Sequence, residues 1–227
     1  MFVVRDNCTL DLRADYGAVT DSEHSAKAIY IYGTALLNDT TQYFWRLMGG
    51  GIIRGDAGSQ VILGGVYTNN AAGVNAWIDS VTCPTRFADA ASVSLRSGRY
   101  NFTGVSETSG NLTMTNGWAR FQTGTMTNAQ TVTVAGTGIL ELKASERFGE
   151  ESVWRVGGNG RVLLDEGVRQ TCSELFLTDI DAEKHCRPGL YGSPEAHAAN
   201  AGVKADSHFE GRGVLYVKGL GTMIIFR

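Results

Sequence analysis

Three copies of one short pattern constrain this chain more than anything else in it. The sequence reads Asn116-Gly117-Trp118-Ala119-Arg120-Phe121, then Thr137-Gly138-Ile139-Leu140-Glu141-Leu142, then Asn159-Gly160-Arg161-Val162-Leu163-Leu164. Its glycines, at positions 117, 138 and 160, are almost evenly spaced. An apolar residue follows each glycine at two and at four positions: Ala119, Leu140 and Val162, then Phe121, Leu142 and Leu164. Side chains two apart on a strand share a face, so each copy predicts a short strand with one face turned inward. A companion strand precedes each glycine: Leu112-Thr113-Met114, Val132-Thr133-Val134, and Val153-Trp154-Arg155-Val156, the last with its alternation disturbed.

A repeat therefore reads strand, glycine turn, strand, longer turn. Nothing between the repeats carries a helical apolar period, which argues against helical crossovers. The economical arrangement lays each strand on its counterpart one repeat on, as an all-β parallel β-helix with coils about 4.8 Å apart. Arg120 and Glu141 then occupy the same outward position on successive coils. They are expected to pair at the surface, for roughly 0–1 kcal/mol.

The repeat extends on both sides, so residues 1–227 are read as one β-helix domain. Tyr43-Phe44-Trp45-Arg46-Leu47 followed by Gly49-Gly50-Gly51 echoes Val153-Trp154-Arg155-Val156-Gly157-Gly158, placing coils from residue 43. Before that, Phe2-Val3-Val4 and Leu10-Asp11-Leu12 read as strands. Alternation around Ile29-Tyr30-Ile31-Tyr32 favours strand over helix. Asn69–Asn75 and Cys83–Ala91 are expected to loop out. Residues 178–210 read as a long polar excursion, after which Gly211-Arg212-Gly213-Val214-Leu215-Tyr216-Val217 resumes the pattern. The excursion, or the apolar strand Gly219–Phe226, is expected to cap the coil end.

Composition suits this reading. The chain has 29 glycines and only 3 prolines, fitting many tight turns and few stiff linkers. A formal charge of −3 offers no attraction for nucleic acid or an anionic membrane. No apolar run approaches the roughly 18 residues of a membrane span. The opening Met1-Phe2-Val3-Val4-Arg5-Asp6 is not a signal peptide, and a trimmed chain or a piece of a longer protein is expected. Cys8, Cys83, Cys172 and Cys186 allow three pairings. Cys172 and Cys186 flank a turn-rich segment that a disulfide could close, and four buried apolar thiols are the alternative.

The C-terminal third resembles a known family. Leu175-Phe176-Leu177, then Arg187-Pro188-Gly189-Leu190-Tyr191-Gly192-Ser193, then Phe209-Glu210-Gly211-Arg212-Gly213-Val214-Leu215-Tyr216-Val217 is similar in order and spacing to proteins with autotransporter-associated β-strand repeats. The resemblance covers roughly residues 110–220. It implies a right-handed parallel β-helix in a secreted or surface-displayed bacterial protein. The cysteines depart from that family's habit, and attachment to a membrane barrel is not supported. Separately, Asp15-Tyr16-Gly17-Ala18 with Asp21 resembles the opening of pectate-lyase-like and tailspike β-helices, where a capping helix follows. Thr20 and Ser22 replace the glycines expected there.

Catalytic candidates are few. Asp179, Asp181 and Glu183 are spaced two apart and as a strand end would share a side able to hold Ca²⁺. A solvated acidic turn is the commoner origin of such a cluster, and no cofactor is expected. His185, His197 and His208 fall in the polar 178–210 segment at spacings unsuited to a metal site. Trp118 lies on the outward offset of its strand, where an aromatic stacks on a sugar or a partner protein, or packs beneath a loop. The reading is a non-catalytic extracellular scaffold or adhesin-like display module, with a surface glycan or a host or neighbour protein as partner. The alternatives are a polysaccharide lyase or glycoside hydrolase with carboxylates stacked in one groove, and a structural protein that self-associates through its coil ends.

Overall fold

A computed structural model describes residues 2–13, 28–44, 46–64, 81–179 and 182–219. Within them the chain is almost entirely β, with one six-residue helix, Pro194–Ala199. The repeats pair as their spacing demands. Trp118–Phe121 lies parallel to Ile139–Leu142, with Ala119 beside Leu140 and Phe121 beside Leu142. The next repeat sets Val162 beside Leu140 in the same way. These strands belong to a six-stranded parallel sheet that opens at Val81–Cys83 and closes at Phe209–Glu210. Their companions form an eight-stranded sheet, parallel except at its last strand, in which Val93, Leu112, Val132, Trp154 and Leu175 stand side by side. The chain visits the two sheets in turn, one strand in each per repeat. The short strands Val105–Ser106 and Thr125–Met126 add a third, narrower ladder.

The core is the space these sheets face. Alternate residues of every central strand are buried, and Leu112, Met114, Val132, Val134, Leu140, Leu142, Val156 and Val162 are fully enclosed. Aromatic rings run through it in series. Phe102 and Phe121 stack 4.9 Å apart, Phe121 meets Phe148 edge-on at 4.9 Å, and Phe148 meets Trp154 at 5.4 Å. The alternation of Val153–Gly157 is not disturbed: Trp154 and Val156 both point inward. Trp154 satisfies its one polar atom by donating Nε1–H to Ser152 Oγ at 3.0 Å.

The repeat glycines hold two different positions. Gly117 has φ +85°, a left-handed conformation that suits glycine, and a Cβ there would sit 2.6 Å from the Gly98 carbonyl oxygen. In the following two turns the positive φ falls two positions earlier, at Gly136 and Gly158. Gly160 instead allows close approach, since its Cβ would lie 2.6 Å from the Val134 carbonyl oxygen.

Parallel pairing begins well before residue 43. Phe2–Val4 pairs with Ala28–Ile31, and Thr9–Asp11 with Thr34–Leu36. Residues 28–36 thus contain two strands and no helix; Ser25–Lys27 and the Asp15-Tyr16-Gly17-Ala18 motif lie outside the described residues. Cys83–Ala91 is not a loop leaving the coil. It ends one strand and holds another, Arg86–Asp89, paired with Ile52–Gly55, because Phe87 fills an inward position. Val61 pairs with Val93 across a longer stretch of sequence than separates partners in the central rungs, so extra chain is inserted there; Asn69–Asn75 lies within the undescribed part of it.

The 178–210 segment is more ordered than a polar excursion. Glu174–Asp179 and Ala182–His185 form an antiparallel hairpin at the end of the eight-stranded sheet. Gly189–Gly192 pairs antiparallel with Val214–Val217 and parallel with Val203–Ala205. The helix between them is capped by Ser193, whose Oγ accepts from Ala196 N at 3.1 Å. Gly219 is the last described residue of the expected final strand.

Candidate functional site

The outer face of the six-stranded sheet gathers a connected group of charged side chains, Arg120, Glu141, Lys143 and Asp165. Register builds it. Arg120 and Glu141 stand beside one another on neighbouring strands. Two positions along, Lys143 continues the outward row, and Asp165 follows it at the same offset as Leu142 to Leu164. Arg99 and Trp118 are neighbours on the first outward row.

Glu141 is the centre, and it is only 2% exposed. Its Oε2 accepts from Arg120 Nε at 2.7 Å and from Trp118 Nε1 at 2.9 Å. Its Oε1 accepts from Arg120 Nη2 at 3.3 Å and pairs with Lys143 Nζ at 2.7 Å. Lys143 also reaches Asp165 Oδ2 at 3.0 Å. The Arg99 guanidinium lies 5.4 Å from the centre of the Trp118 ring. Burial pushes the Glu141 carboxyl up, but hydrogen bonds from Arg120 and Lys143 outweigh it and hold the group below the ordinary carboxylate range. The hydrogen bond to Glu141 in turn raises the Lys143 ammonium.

The expected surface pair of Arg120 and Glu141 therefore exists, but not as a surface pair. The carboxylate has left water and is compensated by three donor side chains, which places it in the regime where losing a partner matters more than the pair's net worth. Chemically the group is saturated. A general acid needs a raised carboxyl and a nucleophile needs an open lone pair, and Glu141 has neither. Trp118 is half-buried in this network, its indole N–H committed to Glu141.

The other sequence candidates lie elsewhere. Asp179 ends one arm of the hairpin and Glu183 sits on the other, opposite Thr178, so the two do not share a single strand end; Asp181 lies outside the described residues. Glu183 forms an ion pair with Arg155 of the adjoining strand Val153–Gly157, over the hairpin's first arm. The Arg155 guanidinium covers the Phe176 ring at 4.3 Å, and His185 packs against that ring at 4.8 Å. Cys172 and Cys186 are free thiols, both buried. Burial pushes Cys172 up to about 12, with the neighbouring Cys186 adding to the effect, and burial also raises Cys186. His208 is buried, with Nδ1 2.7 Å from Asp206 Oδ1; His197 Nδ1 contacts the Val203 carbonyl oxygen.

Asp165, with Glu166, reads from sequence as an acidic turn; Lys143 and its pairing with Asp165 were missed, although their separation of one repeat is the signal that finds them. No helix among the described residues is long and apolar enough to cross a membrane, which says nothing of β-barrels. Comparison with protein-family models, with curated protein sequences and with solved structures gives no significant match.

Proposed function

We propose that this chain is a right-handed parallel β-helix from a bacterial surface or secreted protein, acting as a non-catalytic scaffold or adhesin-like display module. The observation that carries the non-catalytic reading is the condition of the charge cluster on the six-stranded sheet. Its central carboxylate is covered and held by Trp118, Arg120 and Lys143, so it acts as a strut between coils. Right-handedness is supported by the strong preference of parallel strand connections for that hand. The bacterial and extracellular setting is supported by the resemblance of residues 110–220 to autotransporter-associated repeats.

The end of the eight-stranded sheet favours display over self-association. Its last strand, Ala182–His185, presents Glu183, Lys184 and His185 to solvent, and charges on an edge strand discourage further pairing. The test is incubation of the full chain with neutral and acidic polysaccharides, assayed for new reducing ends and for unsaturated sugar ends. The expected result is neither. Turnover abolished by Glu141→Gln would overturn this reading in favour of a glycan-cleaving enzyme.

A further inference from the structure

A cleft of about 440 Å³ lies at a corner of the N-terminal coils, away from the Glu141 cluster. One wall is a row across the four-stranded sheet. Thr9, Thr34, Ile52 and Arg86 open their strands and stand in register on four successive rungs. Three strand spacings make this row roughly 14 Å long. The other wall is the turn Arg5–Cys8, closed by Cys8 N–H donating to the Arg5 carbonyl at 3.1 Å. It carries Asp6 and Asn7, both exposed, with Asn7 in the left-handed region at φ +61°. Tyr32 completes the lining. It is 47% exposed, and its ring is stacked nearly parallel to that of Tyr30, 6.2 Å away. Gly33 and Gly51 contribute backbone alone; a Cβ at Gly33 would fall 2.2 Å from the Cys8 carbonyl oxygen.

The lining selects among ligand classes. Asp6 and Arg86 place opposite charges in one cleft, so the lining is not a single-sign set selecting an anion or a cation. Only Tyr32 and Ile52 are large and apolar, too few for a greasy ligand. What remains is a ligand with a flat apolar face and many groups that both donate and accept. A sugar ring has those properties. Its C–H face packs on an aromatic ring, and its hydroxyls meet a carboxylate acceptor, a guanidinium donor and amide or hydroxyl groups that do both. We propose that this cleft binds a neutral pyranose saccharide, with Tyr32 as the stacking face and Asp6, Asn7 and Arg86 as the principal hydroxyl partners. The inference rests on the display reading, to which it adds a ligand class and a location.

Cys8 provides a reporter within the site. It is exposed and lines the cleft, whereas Cys83, Cys172 and Cys186 are buried. Saturation-transfer NMR of the full chain would be recorded against methyl glucoside, galactoside and mannoside, N-acetylglucosamine and short oligomers of each. Alkylation of Cys8 would be timed with and without the same sugars. The expected result is transfer to at least one sugar and slower Cys8 alkylation in its presence. Tyr32→Ala should weaken that binding about tenfold or more, and Arg86→Ala should weaken it independently, with unchanged circular dichroism in both. The proposal is overturned if no sugar receives transfer from the wild-type chain, or if neither substitution alters transfer and alkylation stays at its sugar-free rate. Cleavage of a bound oligomer would count against the non-catalytic reading alone and leave the site standing.

Discussion

The central rungs and the C-terminal segment reach the same β-rich outcome by different means. From Val93 to Leu164 the strands recur at nearly constant offsets, always parallel, over an apolar and aromatic interior. From Arg169 to Val217 that constancy is lost. Arg169 pairs with Val214 across the whole intervening hairpin and helix, and two pairings are antiparallel. Polar locks hold this end. Gln170, fully buried, accepts from Arg147 N and Phe148 N and donates to the Phe148 carbonyl. Lys204 Nζ donates to the Arg187 and Pro188 carbonyls and to the Tyr191 hydroxyl. The contrast teaches that a regular stack is specified by repeated burial, whereas its termination needs individual directional bonds where the repeat can no longer supply a partner strand.

Substitution can break this comparison, and the largest expected effect lies in the central rungs. Phe121→Ala removes the ring between Phe102 and Phe148 and should cost about 3–5 kcal/mol in urea unfolding, from lost burial and the cavity left behind. Glu141→Gln should cost about 1–3 kcal/mol, because Arg120 and Lys143 lose the Glu141 charge, but both are near 30% exposed and can reach water, and Lys143 keeps Asp165. The same variant tests pH dependence. The folded carboxyl is held below its ordinary value of 4.5, so its contribution is complete above the unfolded value and is lost as pH falls through the lower folded one. Wild type should lose stability over that acid window more steeply than Glu141→Gln, measured as urea midpoint against pH.

Ser193→Ala tests the C-terminal locks. It removes the helix cap and the hydrogen bond to the Gly211 carbonyl and should cost about 1–2 kcal/mol. A loss equal to that of Phe121→Ala would erase the distinction between the regions. The smallest effect belongs to Arg54→Ala, which breaks an exposed pair with Asp89 at 3.0 Å and should shift stability by less than about 1 kcal/mol. Thermal melts of the same variants should rank them in this order.

Much of the central fold was legible because burial repeats. Ala119, Leu140 and Val162 announce one inward column, and Phe121, Leu142 and Leu164 another; both columns are fully buried. The companion strand with Trp154 looked irregular because Val153 and Trp154 are adjacent apolar residues; only Trp154 takes the inward position, with its indole N–H held by the Ser152 hydroxyl. Cys83–Ala91 was misread as loop because its turn residues hide the alternating inward series Cys83, Thr85 and Phe87. The 178–210 segment was misread because its strands lie antiparallel or pair across long gaps, leaving no period to detect. At the candidate site, the Arg120–Glu141 pairing followed from register alone. Its burial did not, because the cover comes from Trp118 and Lys143, side chains of a neighbouring strand and an adjoining position.

By itself the sequence determined a stack of short strands at a nearly constant period, its inward columns, and the outward neighbours that register must bring together. Those properties are local: alternation and spacing are written along the chain. Only the tertiary structure decided that Glu141 is sealed rather than solvated, that Asp179 and Glu183 stand on opposite arms, and that Asp6, Tyr32 and Arg86 share one cleft. The first and last depend on residues far apart in sequence meeting across rungs, and the second on a hairpin turn that alternation alone does not reveal.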